Sequence, residues 1–399
     1  VLKTAFFILI YAFSFGACSQ SNNRQEVDTQ KLTDSIICGD ARFDLYFPLI
    51  KNKKIAIVAN QTAVINNKHL TDILIAEKFN LIKIFAPEHG FRGNIDRGTD
   101  FNKSIDEKTQ IPIFPLFGAT KKMNPQTIED VDIVIFDIQD VGVRFFTYIS
   151  TLHYVMEACA ISNKKLIILD RPNPLGNYIE GPIIQKEFES FVGVDPLPIV
   201  HGLTIGELAQ MINGEHWLEK GLSCDLIVIK AANYTHSTIW APPIKPSPNL
   251  PNLVSIRLYP SLCLFEATEV SIGRGTEVPF QVIGYPDSSC GLFSFIPKSL
   301  KGAESKPIHE NKKCYGIDLR NTKPDTKFTL KYLLDFREKF YNKEMITNPK
   351  WFNLLAGNSE LLDQIQSGLT ESEIRKSWEK ELDDYKKMRK KYLLYNDFE

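Results

Sequence analysis

Between residues 54 and 232 the chain repeats one pattern: a short continuous apolar run, then a longer segment with helical spacing. The runs are KIAIVAN (54–60), LIKIFAP (81–87), DIVIFDI (132–138), KLIILDRP (165–172) and DLIVIKAA (225–232), all rich in Ile and Val. Strands covered by helices on both faces have this composition, because neither face meets water and no polar alternation is needed. LTDILIAEKF, FFTYISTLHYVMEACAIS and TIGELAQMINGEHWL read as the helices between them. The last opens on Thr204 with Glu207 three residues on, the spacing of a reciprocal N-terminal cap. Such alternation predicts an α/β fold, a parallel sheet wrapped by helices.

A Pro-rich junction, WAPPIKPSPNLPN (240–252), interrupts the pattern. Beyond it the strand-like FQVIGY and CYGIDL mix with helices, as in a smaller α+β region. The spacing of Ile374, Trp378, Leu382, Tyr385, Met388 and Tyr392 predicts one amphipathic helix over 371–393. Its KKMRKK run reads as a solvated face and not as a nucleic-acid patch. The expected organisation is a first domain over 36–250 and a second over 251–399.

Composition adds limits. The 399 residues are 43% hydrophobic and 24% charged, ample for a core, and the net charge of −1 provides no global field toward nucleic acid. At the N-terminus Lys3 precedes AFFILIYAF and then SFGACS. An apolar run of about ten residues is too short to span a bilayer but suits a signal-peptide core. Residues 1–18 therefore resemble a bacterial lipoprotein signal with Cys18 as the lipidated residue, although Phe15 replaces the usual aliphatic residue. A plain secretory signal is the alternative. Residues 19–35 are polar and without aromatics, as a tether is. The expected location is the cell envelope, with a lipid anchor at the membrane facing the periplasm. The other six cysteines show neither CxxC pairs nor metal-ligand spacing. Cys159 and Cys263 lie in apolar stretches and read as core thiols; a disulfide among the rest is open.

Open parallel sheets bind ligands beyond the carboxyl ends of their strands. Reading those positions, the second run delivers Glu88 and His89, with Arg92 following; the third delivers Asp137, Asp140 and Arg144; the fourth delivers Asp170, Arg171, Asn173 and Glu180. A rim of carboxylates and arginines suits acid–base chemistry or recognition of a hydroxylated, carboxylated ligand. Glu88 stands out, because Phe85 and Phe91 flank it in sequence and would partly desolvate its carboxyl, the environment of a general acid. Asp140 and Asp170 are candidates for a second catalytic carboxylate. Asp137 reads equally as a structural acid, Asp170 and Arg171 as a pair holding their turn, Arg144 as a structural or substrate-orienting cation and His89 as a loop anchor. In the second region FEATEVSIGRGTEVPF (265–280) adds Glu266 and the Gly-flanked Arg274. No GxGxxG follows the first strand and no GxxxxGK occurs, so no nucleotide cofactor is expected. No HExxH or HxH suggests a metal, and no GxSxG suggests a serine hydrolase.

FAPEHGFRG, FDIQDVGVRFFTYISTL, LDRPNPLG, EGP, PSPNLP, LYPSLCLFEATEVSIGRGTEVPF and the terminal RKKYLLY together resemble one family, the exo-β-N-acetylmuramidases typified by NamZ. The likeness runs from about residue 35 to the C-terminus. Ala267 and Glu269 depart from it, standing where Gly and Asn are expected. The resemblance implies a Rossmann-like catalytic domain, a smaller auxiliary domain and an active site in the cleft between them. It also implies release of terminal β-1,4-linked N-acetylmuramic acid from non-reducing ends of peptidoglycan fragments, with Glu88 of the PEHG motif as the leading catalytic candidate. His89, Arg92, Asp137, Arg144, Arg171, Asn173, Glu180, Glu266 and Arg274 are then candidate substrate contacts. A lipid-anchored protein that binds muropeptides without cleaving them is the competing reading.

Overall fold

The computed structural model describes residues 36–93, 102–340 and 343–399. The expected signal, tether and lipidated Cys18 fall in residues 1–35, outside the described residues. The first region is built on a seven-stranded sheet of β1 (Lys54–Ala59), β2 (Asn80–Ala86), β3 (Ser104–Ile105), β4 (Pro112–Pro115), β5 (Ile133–Asp137), β6 (Lys165–Leu169) and β7 (Asp225–Ile229). Its order is β7-β6-β5-β1-β2-β4-β3. Every pairing is parallel except that of the edge strand β3 with β4. With β3 set aside, the order corresponds to 3-2-1-4-5-6, and the direction of winding reverses between β1 and β5.

Alternate residues of β1 feed two cores. Ala56 and Val58 face a cluster that includes helices α3 (Tyr148–Ile161) and α4 (Ile205–Gly214); Ile55, Ile57 and Ala59 face one with α1 (Phe43–Ile50) and α2 (Leu70–Ala76). The sheet is thus covered on both faces, as its unbroken Ile/Val runs require. The Thr204–Glu207 capping box forms at the start of α4 as expected. Neither β3 nor β4 has such a run. PIFP is short, and its prolines sit at the strand's first and last positions, where a missing N–H is tolerated.

The second region holds α5 (Leu253–Leu262), a three-stranded antiparallel sheet of β8 (Val282–Tyr285), β9 (Phe293–Phe295) and β10 (Cys314–Asp318), and helices α6 (Lys331–Lys339), α7 (Pro349–Ala356), α8 (Glu360–Gln366), α9 (Glu371–Lys376) and α10 (Glu379–Arg389). The single helix expected over 371–393 is two helices and a 3-10 turn (Lys390–Tyr392), broken at Ser377-Trp378. Ile374, Trp378, Leu382 and Tyr385 remain buried across the break, so periodicity alone could not reveal it.

The two regions share one continuous core, in which α3 residues join Leu262, Phe280, Phe336 and Trp378. Polar ties reinforce it. Glu180 pairs with Arg375 and accepts from the Trp378 indole at 3.1 Å. The tail returns to the first region: the Leu394 amide reaches Glu207 at 2.8 Å and the Tyr395 hydroxyl reaches Asp170 at 2.6 Å. Cys38, Cys159, Cys224, Cys263, Cys290 and Cys314 are all free thiols. Among the described residues no helix is long and apolar enough to cross a membrane.

Candidate active site

Strand β2 ends at Ala86, and the chain turns at once through Pro87–Gly90, closed by the Gly90 amide on the Pro87 carbonyl at 3.0 Å. The tightness of this turn requires a positive φ at two successive residues, His89 (69°) and Gly90 (74°). His89 is buried, with Nε2 3.2 Å from the Ser247 hydroxyl of the Pro-rich junction. The residue before it, Glu88, is half-buried at the surface of a cavity. Phe91 does not flank it as the sequence suggested; its ring turns inward onto His69. Phe85 packs on Phe114. One partner of the carboxylate comes from the loop after β5, where the Thr147 hydroxyl donates to Glu88 Oε2 at 3.1 Å. Burial first, and the charge of Glu88 second, push the neighbouring Tyr148 phenol above its ordinary range, so it remains a donor, to the Pro246 carbonyl.

The cavity encloses about 550 Å³, within the size range of small-ligand sites. The first region contributes Glu88, Phe117, Lys121, Thr147, Ser190 and Phe191; the second contributes Tyr259, Glu266, Arg274 and Trp351. Glu266 sits on the 3-10 turn Cys263–Ala267 that follows α5, and Arg274 donates to its Oε1 at 2.5 Å. The glycines around Arg274 have φ of 79° and 77°, and a Cβ on Gly275 would lie 2.6 Å from the Lys298 carbonyl. This geometry folds Arg274 back onto Glu266 and over the Phe280 ring. The structure thus gathers two carboxylates, two cations and several aromatic rings around one space reached from both regions.

The remaining expected site residues do not line this cavity. Asp170 is fully buried, accepting from Thr204 Oγ1 and the Gly206 amide at 2.8 Å each and from Tyr395 at 2.6 Å. It therefore caps the start of α4 and anchors the tail. Burial pushes its carboxyl up to about 6 against the pull of those donors. Asp140 is buried too; its Oδ2 accepts from the Gly142 amide at 2.6 Å, with His201 3.7 Å away. Arg171 lies between Asp137 (2.7 Å) and Asp40 (2.5 Å) inside the protein. Asn173 bridges the Leu203 carbonyl and the Leu175 amide. Arg92 grips Asp106 through two bonds of 3.0 Å and covers Phe91. Glu180 belongs to the ties between regions described above.

Arg144 is fully buried, and burial lowers its pKa to about 9. It donates to the carbonyls of Pro182, Leu197, Leu355 and Ala356. The last two end α7, where unsatisfied carbonyls attract a cation. Arg144 thus holds in place the helix that carries Trp351 into the cavity wall.

Sequence reasoning missed Thr147 and Tyr259, although both stood in the quoted motifs FFTYISTL and LYPSL. Phe117, Lys121, Ser190, Phe191 and Trp351 had no signal, because nothing in their local patterns says which loop faces the cleft. Among the described residues no cluster of three or more His, Cys, Asp or Glu could hold a metal ion.

Known proteins align with both the sequence and the fold. The chain is 35% identical to a peptidoglycan beta-N-acetylmuramidase, NamZ, of Bacillus subtilis (strain 168), over 98% of this chain and all of the relative. Two crystal structures of DUF1343 family proteins from Bacteroides fragilis superimpose with TM-scores of 0.84 at 44% identity and 0.78 at 28% identity. Each covers 91% of this chain and 99% of its own. Sequence models described as exo-beta-N-acetylmuramidase NamZ, N-terminal and C-terminal, match residues 55–254 and 257–395, and the chain belongs to this family.

Proposed function

We propose that the chain releases terminal β-1,4-linked N-acetylmuramic acid from the non-reducing ends of peptidoglycan fragments. The observation that carries this reading is the pair of carboxylates, Glu88 and Glu266, facing one cavity from opposite regions of the chain. Glycoside hydrolysis needs a proton donor at the leaving oxygen and a second group that activates water, attacks the sugar or stabilises its developing positive charge. Glu88, oriented by Thr147, is assigned the first role. Glu266, oriented by Arg274, is assigned the second; Asp140 and Asp170 are buried and are not among the residues lining the cavity. Lys121 and Arg274 supply positive charge for the lactyl carboxylate that separates muramic acid from glucosamine. No step in this scheme uses a metal, so hydrolysis should persist in EDTA.

The test is product analysis with two disaccharides, one ending in N-acetylmuramic acid and one in N-acetylglucosamine. Free N-acetylmuramic acid from the first and no sugar from the second is the expected result. A protein whose melting temperature rises with the first disaccharide, but which releases nothing, would be the binding protein of the competing reading.

The lipoprotein-like N-terminus supports a site of action in the envelope, with the catalytic regions tethered to the membrane through Cys18. Cys18→Ala should then move the protein from membrane to soluble fractions; a wild type already soluble refutes the anchor.

A further inference from the structure

A second cavity, of about 310 Å³, adjoins the active-site cavity, and Phe117 lines both. Its floor is Phe114, a β4 residue whose ring is stacked on Phe85 with centroids 5.3 Å apart. Lys103 lies over that ring at 4.4 Å and Lys83 at 5.9 Å. Asn102, Thr120, Asn124 and Thr127 surround it with amides and hydroxyls. An aromatic face bordered by short hydrogen-bonding side chains fits a sugar ring, which has apolar C–H faces and a polar edge. Lys83 is already paired with Asp130 and the Thr127 carbonyl, so it is Lys103 that adds a preference for a sugar carrying a carboxylate.

Resting on the muramidase reading, we propose that the enzyme holds its glycan beyond the scissile sugar. The track runs from Glu88 past Phe117 to Phe114, and the second cavity takes a carboxylated sugar of the same chain. N-acetylmuramic acid and N-acetylglucosamine alternate in such glycans, so a carboxylate recurs two residues beyond the one being released. A sugar settling on Phe114 displaces the Lys103 ammonium from the ring and gives it that carboxylate as a partner. The preferred substrate is then an oligosaccharide longer than a disaccharide.

The experiment compares kcat/KM for the disaccharide MurNAc-GlcNAc with that for the tetrasaccharide of two such repeats. Wild type should favour the tetrasaccharide by at least about tenfold, the size of one ionic hydrogen bond at the lower end of its range. Lys103→Gln, at an exposed position, and Phe114→Ala should bring the ratio toward one through KM. A ratio of one in wild type, or an unaltered ratio in Lys103→Gln, would overturn the track. Calorimetric binding of both saccharides to Glu88→Gln separates this failure from that of the muramidase reading. Tighter tetrasaccharide binding that Lys103→Gln abolishes supports the track even if no sugar is ever released. Equal affinity for the two saccharides refutes it.

Discussion

Asp137, Asp170 and Arg171 stand at the ends of β5 and β6, much as Glu88 stands just beyond β2, yet their environments are opposite. The first three are at most 5% exposed, and their bonds run to other parts of the protein: Asp40, the start of α4 and the C-terminal tail. Glu88 is lifted by a left-handed turn to face an open cavity, and its counterpart Glu266 comes from the other region. Strand ends therefore present charge for two purposes. One set joins β-strands, terminus and tail; the other faces the cavity. Removal of the first should lower stability, and removal of the second should lower rate.

The largest effect is expected at the cavity. Glu88→Gln keeps the shape and removes the acid, so it should fold normally and lose about 10²–10⁴-fold in kcat on a disaccharide. With a nitrophenolate leaving group, which needs little protonation, the loss should shrink. Glu266→Gln should lose at least about two decades on both substrates, because its role does not depend on the leaving group. Near-normal rates in either variant would remove that residue from the proposed chemistry.

Arg144 tests the boundary between the two sets, since it is buried but supports the cavity wall. Arg144→Met removes the donor of four buried carbonyls, of which Leu197 keeps the Ile184 amide; each of the other three costs about 1–3 kcal/mol if left unsatisfied. Urea unfolding should show a loss of at least about 3 kcal/mol. A loss below about 1 kcal/mol would mean that α7 is held by its apolar contacts alone.

Asp170→Asn should cost about 1–2 kcal/mol, the range for a weakened helix cap and charged hydrogen bonds. Its kcat per folded molecule should stay within a few-fold of wild type. A loss of two decades in kcat without a change in melting temperature would return Asp170 to the catalytic set.

The smallest effect concerns pH. Burial, and then the charge of Asp137, hold the Asp40 carboxyl up at about 7 despite Arg171, against an unfolded value of 3.8. A carboxyl raised on folding contributes stability that is fully present below pH 4 and is lost as pH rises through 7. Asp170 acts in the same direction, at about 6. Melting temperature should therefore fall by a few degrees between pH 5 and pH 8, and Asp40→Asn should flatten that slope. An unchanged slope in Asp40→Asn would assign the pH dependence to other groups.

Much of this was legible in the sequence. Long Ile/Val runs announced β1, β2, β5, β6 and β7, because a strand buried on both faces must be apolar throughout. Capping chemistry located the start of α4 to the residue, since Thr204 and Glu207 act within one turn of chain. Glu88, Glu266 and Arg274 stand in motifs that the sequence displays by itself. The short β3 and β4, and the break at Trp378, were not legible: their apolar patterns are either too brief or continuous across the interruption.

Position at a strand end is local information, and the sequence determined it correctly for Asp137, Asp170 and Arg171 as well as for Glu88. Whether such a charge faces solvent or protein is not local. It depends on what the rest of the chain packs over the strand ends: residues 36–42 bring Asp40 to Arg171, the tail brings Tyr395 to Asp170, and α7 brings its carbonyls to Arg144. A buried charge must find a partner, and here these partners come from 131 to 225 residues away in sequence. The sequence by itself determined the sheet, the main helices and the residue types available for chemistry. Only the tertiary structure decided that Glu88 and Glu266 share a cavity, because that depends on two regions closing over one core.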